Sequence, residues 1–322
     1  VLVGEEQVVK LAQERGALFV RPGDRVYTGM IVGEHSHEND LDFNICKEKK
    51  LTNIRAAGRD ENIILTPPRD MNLEKSLEWI AEDELVEAIE RTLRRKRGNV
   101  IMPAFSVGRT QEVIFVLADL VRRGRLKDLQ VVVDSPMSMA ATEITLRHTS
   151  LLDEHTRELI EWQRTRPEGL KVRFVQDVEE SIALNQVRGG LVIISASGMC
   201  DAGRIKYHLL NNLGRRDCAI LITGFQAAGT LGRRLVEGAR SVTLFGQSVP
   251  VRAAIHTIGG LSAHADQDGL LGWLGHFRRP PQQTFVVHGE AENAQAFIEA
   301  IGHRLKWNNV SMPQYGGSIE VL

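Results

Sequence analysis

From residue 98 to about 240 the chain alternates short apolar runs with longer stretches whose apolar positions recur at helical spacing. Asn99–Pro103 (NVIMP), Leu129–Asp134 (LQVVVD), Lys171–Phe174, Gly190–Ser195 and Ala219–Thr223 read as strands. Several are apolar almost throughout, the pattern of a strand buried on both faces rather than one. Thr110–Arg123, closed by Gly124, reads as a helix, and a further helical region follows Ser135-Pro136-Met137 through Trp162. Strands alternating with helices predict a mainly parallel sheet, with ligand loops at the carboxyl ends of the strands.

The pattern continues differently on either side. Downstream, Val242–Phe245, Ala253–Ile258 and Thr284–His288 read as strands, and Asp268–Phe277 (DGLLGWLGHF) as a helix. Two histidines stand in loops after apolar runs, His264 in LSAHADQD and His288 at the end of TFVVHGE. Neutral imidazole on a strand-end loop is a common zinc ligand, and two ordinary loop histidines are the alternative. Upstream, Val8–Gly16 reads as a short amphipathic piece, followed by strands at Ala17–Val20, Val26–Val32, Asn44–Lys47 and Asn62–Leu65, with a turn at Arg21–Asp24. This is a small, mostly β module. A helix from Leu73 to Arg97, with Asn72 as its cap and Leu77, Ile80 or Ala81, Leu85, Ala88, Ile89 and Leu93 near helical spacing, joins the two parts without a Gly/Ser or Pro-rich spacer.

Charge adds little. The 322 residues carry 40 basic and 41 acidic side chains, so no global attraction to a polyanion is encoded, although local basic stretches remain. One is Lys47–Arg59 (KEKKLTNIRAAGR). Three widely spaced cysteines, Cys46, Cys200 and Cys218, make neither a CxxC nor a disulfide framework, and favour a reducing cytoplasm. No apolar run approaches the roughly 20 residues needed to span a bilayer, and VLVGEEQVVK is no signal peptide; it reads as the middle of something longer.

Four loops at the expected carboxyl ends are rich in small residues, PAFSVGRTQE, DSPM, SASGMCDAGR and TGFQAAGTLGRR, and all but DSPM carry an Arg. Such loops let backbone N–H groups approach phosphates while Arg supplies a fork. Arg109, Ser197, Gly198, Arg204 and Gln226 are the candidates, against the alternative that these are the tight turns any such sheet needs. His35-Ser-His37-Glu-Asn-Asp40 is similar to a metal-binding run, but a third imidazole is missing and Asn39 cannot ionise, so it reads as a polar loop.

Two resemblances refine this reading. VYTGMIVGEHSHENDLDFNICKEKKLTNIRAAGRDE, followed by LTPPRDMNLEKSLEWIAEDELVE, resembles the C-terminal domain of the translational GTPase TypA/BipA over about residues 10–87. That resemblance implies that Lys49, Lys50, Asn53 and Arg55 reach RNA on the ribosome; no G-x-x-x-x-G-K-[ST] occurs in the chain. From about residue 84 to 322 the loops, the S-A-H-x-D run and the V-H-G-E run resemble the distal part of a β-CASP metallo-β-lactamase-fold RNA nuclease. It implies His264 as an acid/base or phosphate-contacting group, His288 as a zinc ligand, and two-zinc hydrolysis of RNA phosphodiesters.

The family's H-x-H-x-D-H is not found in these residues, and its motif A carboxylate would fall near Trp79-Ile80. The resemblance gives Asp134 no ligand role. The expectation is therefore a hybrid α/β chain: a TypA/BipA-like module at 1–82, a shared junction helix at 83–97, a β-CASP domain at 98–240, and the C-terminal part of a metallo-β-lactamase αββα fold at 241–322. RNA and the ribosome are the implied partners, zinc the implied cofactor, and no membrane is involved. Because the nuclease fold packs two half-molecules together, Leu244, Ile255, Phe285 and Val287 are expected on an uncovered face, with self-association following. Hydrolysis by this stretch alone is not expected; the other reading is a non-catalytic RNA- or ribosome-binding protein.

Overall fold

A computed structural model of the chain describes residues 2–4, 6–27, 30–36, 41–46, 65–68, 73–166, 169–259 and 264–318. It divides into two units, Val1–Leu77 and Glu78–Leu322, and the division falls inside a helix.

In the first unit, helix α1 (Glu6–Gln13) precedes β1 (Gly16–Leu18), which pairs antiparallel with β2 (Gly33–His35). A Cβ on Gly16 would stand 1.9 Å from the Glu34 carbonyl oxygen, so the pair closes only with glycine there. Val3, Val9, Ala12, Leu18, Val20, Val26 and Ile45 form its core. The side chain of Gln13 holds Thr66 from both sides, donating to its carbonyl and accepting from its N–H (2.6 and 3.1 Å). Two expected strands are corrected. The described residues of 26–32 are not a strand, and pairing falls instead on Gly33–His35. Asn44 starts a turn, its side-chain oxygen accepting the Cys46 N–H at 3.0 Å, the local competition that Asn offers the backbone. Residues 37–40 of the His-Ser-His run, the basic loop with Lys49, Lys50, Asn53 and Arg55, and most of the expected strand at 62–65 lie outside the described residues.

The second unit is built on a six-stranded parallel sheet. Helix α2 (Leu73–Glu90) ends in a wider π turn (Arg91–Arg95) that leads into β3 (Val100–Pro103). There follow α3 (Arg109–Arg122), β4 (Leu129–Asp134), α4 (Pro136–Arg147), α5 (Glu154–Thr165), β5 (Leu170–Phe174), α6 (Val178–Leu184), β6 (Val192–Ser195), α7 (Ile205–Asn212), β7 (Ala219–Ile222) and α8 (Leu231–Val236). A hairpin of β8 (Ser241–Leu244) and β9 (Gln247–Pro250) leads to β10 (Ala254–Thr257). The strand order is β10-β7-β3-β6-β4-β5, every neighbour parallel.

Alternate residues of each central strand serve opposite faces. Val100, Met102, Val131, Val133, Val192 and Ile194 pack with Leu85, Ala88 and Ile89 of α2, Leu117 and Leu120 of α3, and Leu159 of α5. Ile101, Ile193, Ile220 and Ile222 face the other way, against Ile205 and Leu209 of α7 and Leu235 of α8. Both faces are covered, which is why the strands read as continuous apolar runs.

The C-terminal segment corrects one expectation. β10 pairs with β7 in register from Ala254↔Ala219 to Thr257↔Ile222, filling that edge of the sheet. Leu244 is fully buried, and Ile255 packs on the same core. Of the four residues expected on an uncovered face, Val287 is 65% exposed and Phe285 half-buried. Beyond, α9 (Gln267–Leu274), β11 (Thr284–Phe285), α10 (Ala291–Leu305) and β12 (Val310–Ser311) enclose a small core of Leu271, Leu274, Ile301 and Trp307, with β11 parallel to β12.

Candidate functional site

The carboxyl ends of β3, β4, β6 and β7 carry the four small-residue loops, and polar contacts tie them together. Asp134, the last residue of β4, is fully buried. Its carboxylate accepts from Arg204 (2.7 Å) and from the Ser181 hydroxyl (2.6 Å), and lies 2.7 Å from Nε2 of the buried His208. The Ser195 hydroxyl donates to the Asp134 carbonyl oxygen at 2.9 Å. Burial by itself would raise the carboxyl pKa. The hydrogen bonds from His208, Ser181 and Arg204 outweigh it and hold Asp134 below the usual carboxylate range. Arg204 also donates to the carbonyls of Gln176 (2.9 Å) and Val175 (3.4 Å) beyond β5. Its guanidinium thus joins the ends of β4 and β5 to the start of α7, and the protein already occupies the fork that the sequence offered to phosphate.

After β3, Gly108 opens α3 with φ of 83°, and its N–H donates to Oε1 of Gln111 at 2.8 Å. Nε2 of Gln111 reaches the Ser106 and Ser138 carbonyls and the Thr142 hydroxyl (3.2, 3.3 and 2.8 Å), binding the β3 loop to α4. Arg109 stands in the first turn of α3, 2.8 Å from Glu112. Phe105 and Val107 of this loop are 50% and 69% exposed.

The loops after β6 and β7 interlock. A Cβ on Gly198 would fall 3.0 Å from the Phe105 ring, so a side chain there would push that ring away. Nε2 of the buried Gln226 donates to the Gly198 carbonyl at 3.1 Å and to the Phe225 carbonyl at 3.1 Å. Its Oε1, without a hydrogen-bond partner, rests on the backbone of Gly232. Asp201 accepts the Leu231 N–H at 2.9 Å. The hydroxyl of Ser197 lies 3.4 Å from the Ala202 N–H. Gly198 and Gln226 therefore meet directly, Ser197 lies beside them, and Arg109 opens α3 at the end of the neighbouring β3 loop.

The V-H-G-E run reaches the same place. Glu290 precedes α10 and accepts the Ala228 N–H at 3.1 Å; it lies 3.9 Å from Arg233, which pairs with Glu237 at 2.7 Å. Within that run the sequence singles out the histidine, whereas the pairing that reveals the glutamate spans 62 positions. His288 is exposed, with φ of 63°, and His264 is exposed at the start of the segment that leads to α9. The Asp of the S-A-H-A-D run serves its own helix, since Asp266 caps α9 by accepting the Gly269 N–H at 2.7 Å. Among the described residues no three of His, Cys, Asp and Glu come together as a metal cage. Those residues do not fit a catalytic zinc, which takes about three protein ligands.

The six-stranded sheet with its carboxyl-edge loops lies where the chain matches one domain family, and the stretches before and after it match two others. The chain matches the TypA/BipA C-terminal domain over residues 6–100, the Beta-Casp domain over 110–235, and the Zn-dependent metallo-hydrolase RNA specificity domain over 248–313.

Among individual proteins it is 34% identical over 240 residues to Ribonuclease TTHA0252 of Thermus thermophilus, covering 74% of this chain and 53% of that protein. It is 30% identical over 235 residues to an RNase J-like protein of Methanocaldococcus jannaschii (73% and 52%). With the large ribosomal subunit assembly factor BipA of Salmonella typhimurium the identity is 54% over 86 residues, 26% of this chain and 14% of that protein. The chain thus matches two families over separate stretches, as the two resemblances imply, and it spans about half the length of the nuclease-type relatives it matches. Among the described residues no helix is long and apolar enough to cross a membrane.

Proposed function

We propose that this chain binds RNA across the carboxyl edge of its parallel sheet, as the RNA-gripping portion of a β-CASP-type RNA-processing protein. The observation that carries this reading is the convergence of four chain segments there. The β3, β6 and β7 loops meet at Phe105, Gly198 and Gln226, and the V-H-G-E loop joins them through Glu290 and Ala228. Arg109 and the backbone of Ser197 and Gly198 serve phosphate, Gln226 holds the Gly198 loop in shape, and Arg204 positions the loops rather than the ligand. His264 and His288 are the groups whose substitution reports on any hydrolysis.

Phosphate-directed binding of this kind is salt-dependent and nearly indifferent to base sequence. Fluorescence anisotropy of a labelled single-stranded RNA, titrated at two salt concentrations, should show affinity that falls as salt rises and weakens in Arg109→Ala. Affinity equal at both salts would remove phosphate from the interface. The same chain, incubated with that RNA and zinc, should leave it intact, since the described residues do not assemble a metal site. Cleavage that disappears on chelation and in His288→Ala would overturn this part of the reading.

A second reading has its own support, the 54% identity to a ribosome assembly factor over 86 residues. On it, Lys49, Lys50, Asn53 and Arg55 contact structured RNA of the ribosome. Lys49→Ala with Lys50→Ala should then lower affinity for ribosomal particles while leaving single-stranded RNA binding unchanged.

A further inference from the structure

One exposed cluster lies outside the carboxyl-edge loops. β8 and β9 are joined by a two-residue turn, Phe245–Gly246, with Leu244 paired to Gln247. Both turn residues have positive φ, 49° and 76°. This is the mirror-image hairpin turn, whose usual occupants are Asn-Gly and Asp-Gly because a side chain with a full Cβ is strained there. Phe245 is held in that strained conformation while 46% exposed, so core burial does not offset the strain. Its ring stacks on Tyr207, centroids 4.6 Å apart and planes 29° from parallel, and Tyr207 is itself 52% exposed. The ammonium of Lys206 lies 4.9 Å from the Phe245 ring centroid. A strained aromatic kept at the surface, stacked on a second and accompanied by a cation, points to a ligand rather than to folding.

We propose that Tyr207, Phe245 and Lys206 form a base-stacking station for single-stranded RNA. Two half-exposed rings present a flat π surface, and the neighbouring lysine suits the phosphate joined to a stacked base. The remaining exposed residues of the hairpin include Ser241, Thr243, Gln247 and Ser248. That polar surround lacks the apolar breadth of a protein interface and favours a small planar partner. Position agrees: Lys206 and Tyr207 lie in the first turn of α7, directly after the Ser197–Arg204 loop at the carboxyl edge. The station rests on the RNA-binding reading and extends it by adding base contact to phosphate contact.

The test compares the native chain with the double variant Tyr207→Ala, Phe245→Asn, using oligouridylate roughly 15 nucleotides long and an abasic strand of equal length. The double variant should bind oligouridylate about tenfold more weakly and the abasic strand equally well. Tyr207→Trp should keep native affinity, and thermal unfolding should be no lower in the double variant, since Asn suits the turn. Equal oligouridylate affinity in native chain and double variant overturns the station and leaves phosphate binding standing. A native chain that binds the abasic strand as well as oligouridylate does the same. No binding of either strand by the native chain overturns both readings. Self-association in sedimentation that the double variant abolishes, with RNA affinity unchanged, overturns the station in favour of a contact between copies.

Discussion

Asp134 shows how one side chain decides what its neighbours can do. Fully buried, it is held by Arg204, Ser181 and His208. Removing one partner of a buried charge pair leaves the other uncompensated, so Asp134→Ala should destabilise the second unit by roughly 3–5 kcal/mol in urea denaturation. The pH dependence follows from the direction of its pKa. The carboxyl is lower in the folded state than in the unfolded chain. Its contribution is therefore complete above the ordinary carboxylate range, about pH 4, and is lost as pH falls through the folded value. Below that range the native chain should lose stability faster than Asp134→Asn as pH falls. Equal acid limbs would show that the network is not held by the ionised carboxylate.

The cysteines give a second measurement at this scale. Burial pushes Cys200 up to about 12, with the charge of Asp201 adding to it, and burial also raises Cys218. A thiol is reactive as its thiolate. The half-buried Cys46 should therefore react first with an aromatic disulfide at pH near 8, and Cys200 and Cys218 only on unfolding. At this scale the sequence was partly legible. It marked Asp134 as a carboxylate at a strand end, but its partners lie 47 to 74 positions away, and no local spacing announces them.

Elements were legible where both faces are buried. β4 runs from Leu129 to Asp134 as its apolar run predicts, and β3, β6 and β7 differ from expectation by at most two residues at an end. They were less legible in the first unit, where β1 and β2 are three residues long and their place is set by a partner rather than by alternation. Loops were legible as loops, but not as a connected set. The contact of Gln226 on Gly232 illustrates the difference. A Cβ at Gly232 would lie 1.6 Å from Oε1 of Gln226, so Gly232→Ala must expel the side chain that ties the β7 loop to the β6 loop. A cost of about 1–3 kcal/mol is expected from the overpacking and lost hydrogen bonds. Since Gln226→Ala vacates that space, the double variant should be more stable than the two separate losses predict, a coupling that a double-mutant cycle in denaturant measures. Strict additivity would mean that the loops are not joined there.

For the molecule as a whole, the resemblance to a two-half fold implies an exposed apolar patch within residues 241–322, on strands whose partner half lies elsewhere. The observed pairing divides that stretch instead. β8 and β9 lie on the core that α7 and α8 cover, through Val242, Leu244 and Val249, and β10 completes the six-stranded sheet. From α9 to β12 the situation differs. β11 and β12 are two residues each and, among the described residues, pair only with one another. Their core consists of Leu271, Leu274, Ile301 and Trp307, with half-buried neighbours such as Phe297. A two-stranded parallel pair is marginal without further strands, because it closes few hydrogen bonds for the backbone it orders. Native-state hydrogen exchange should therefore separate the two parts. Amides of β3, β4, β6, β7 and β10 should open only with global unfolding, whereas those of β11 and β12 should exchange through a local opening of lower free energy. Addition of urea well below the midpoint should leave the exchange of β11 and β12 nearly unchanged, since local opening exposes little surface, while exchange in the central strands accelerates. Equal protection and equal urea dependence in β10 and β11 would mean that the segment after residue 264 unfolds as one body with the sheet.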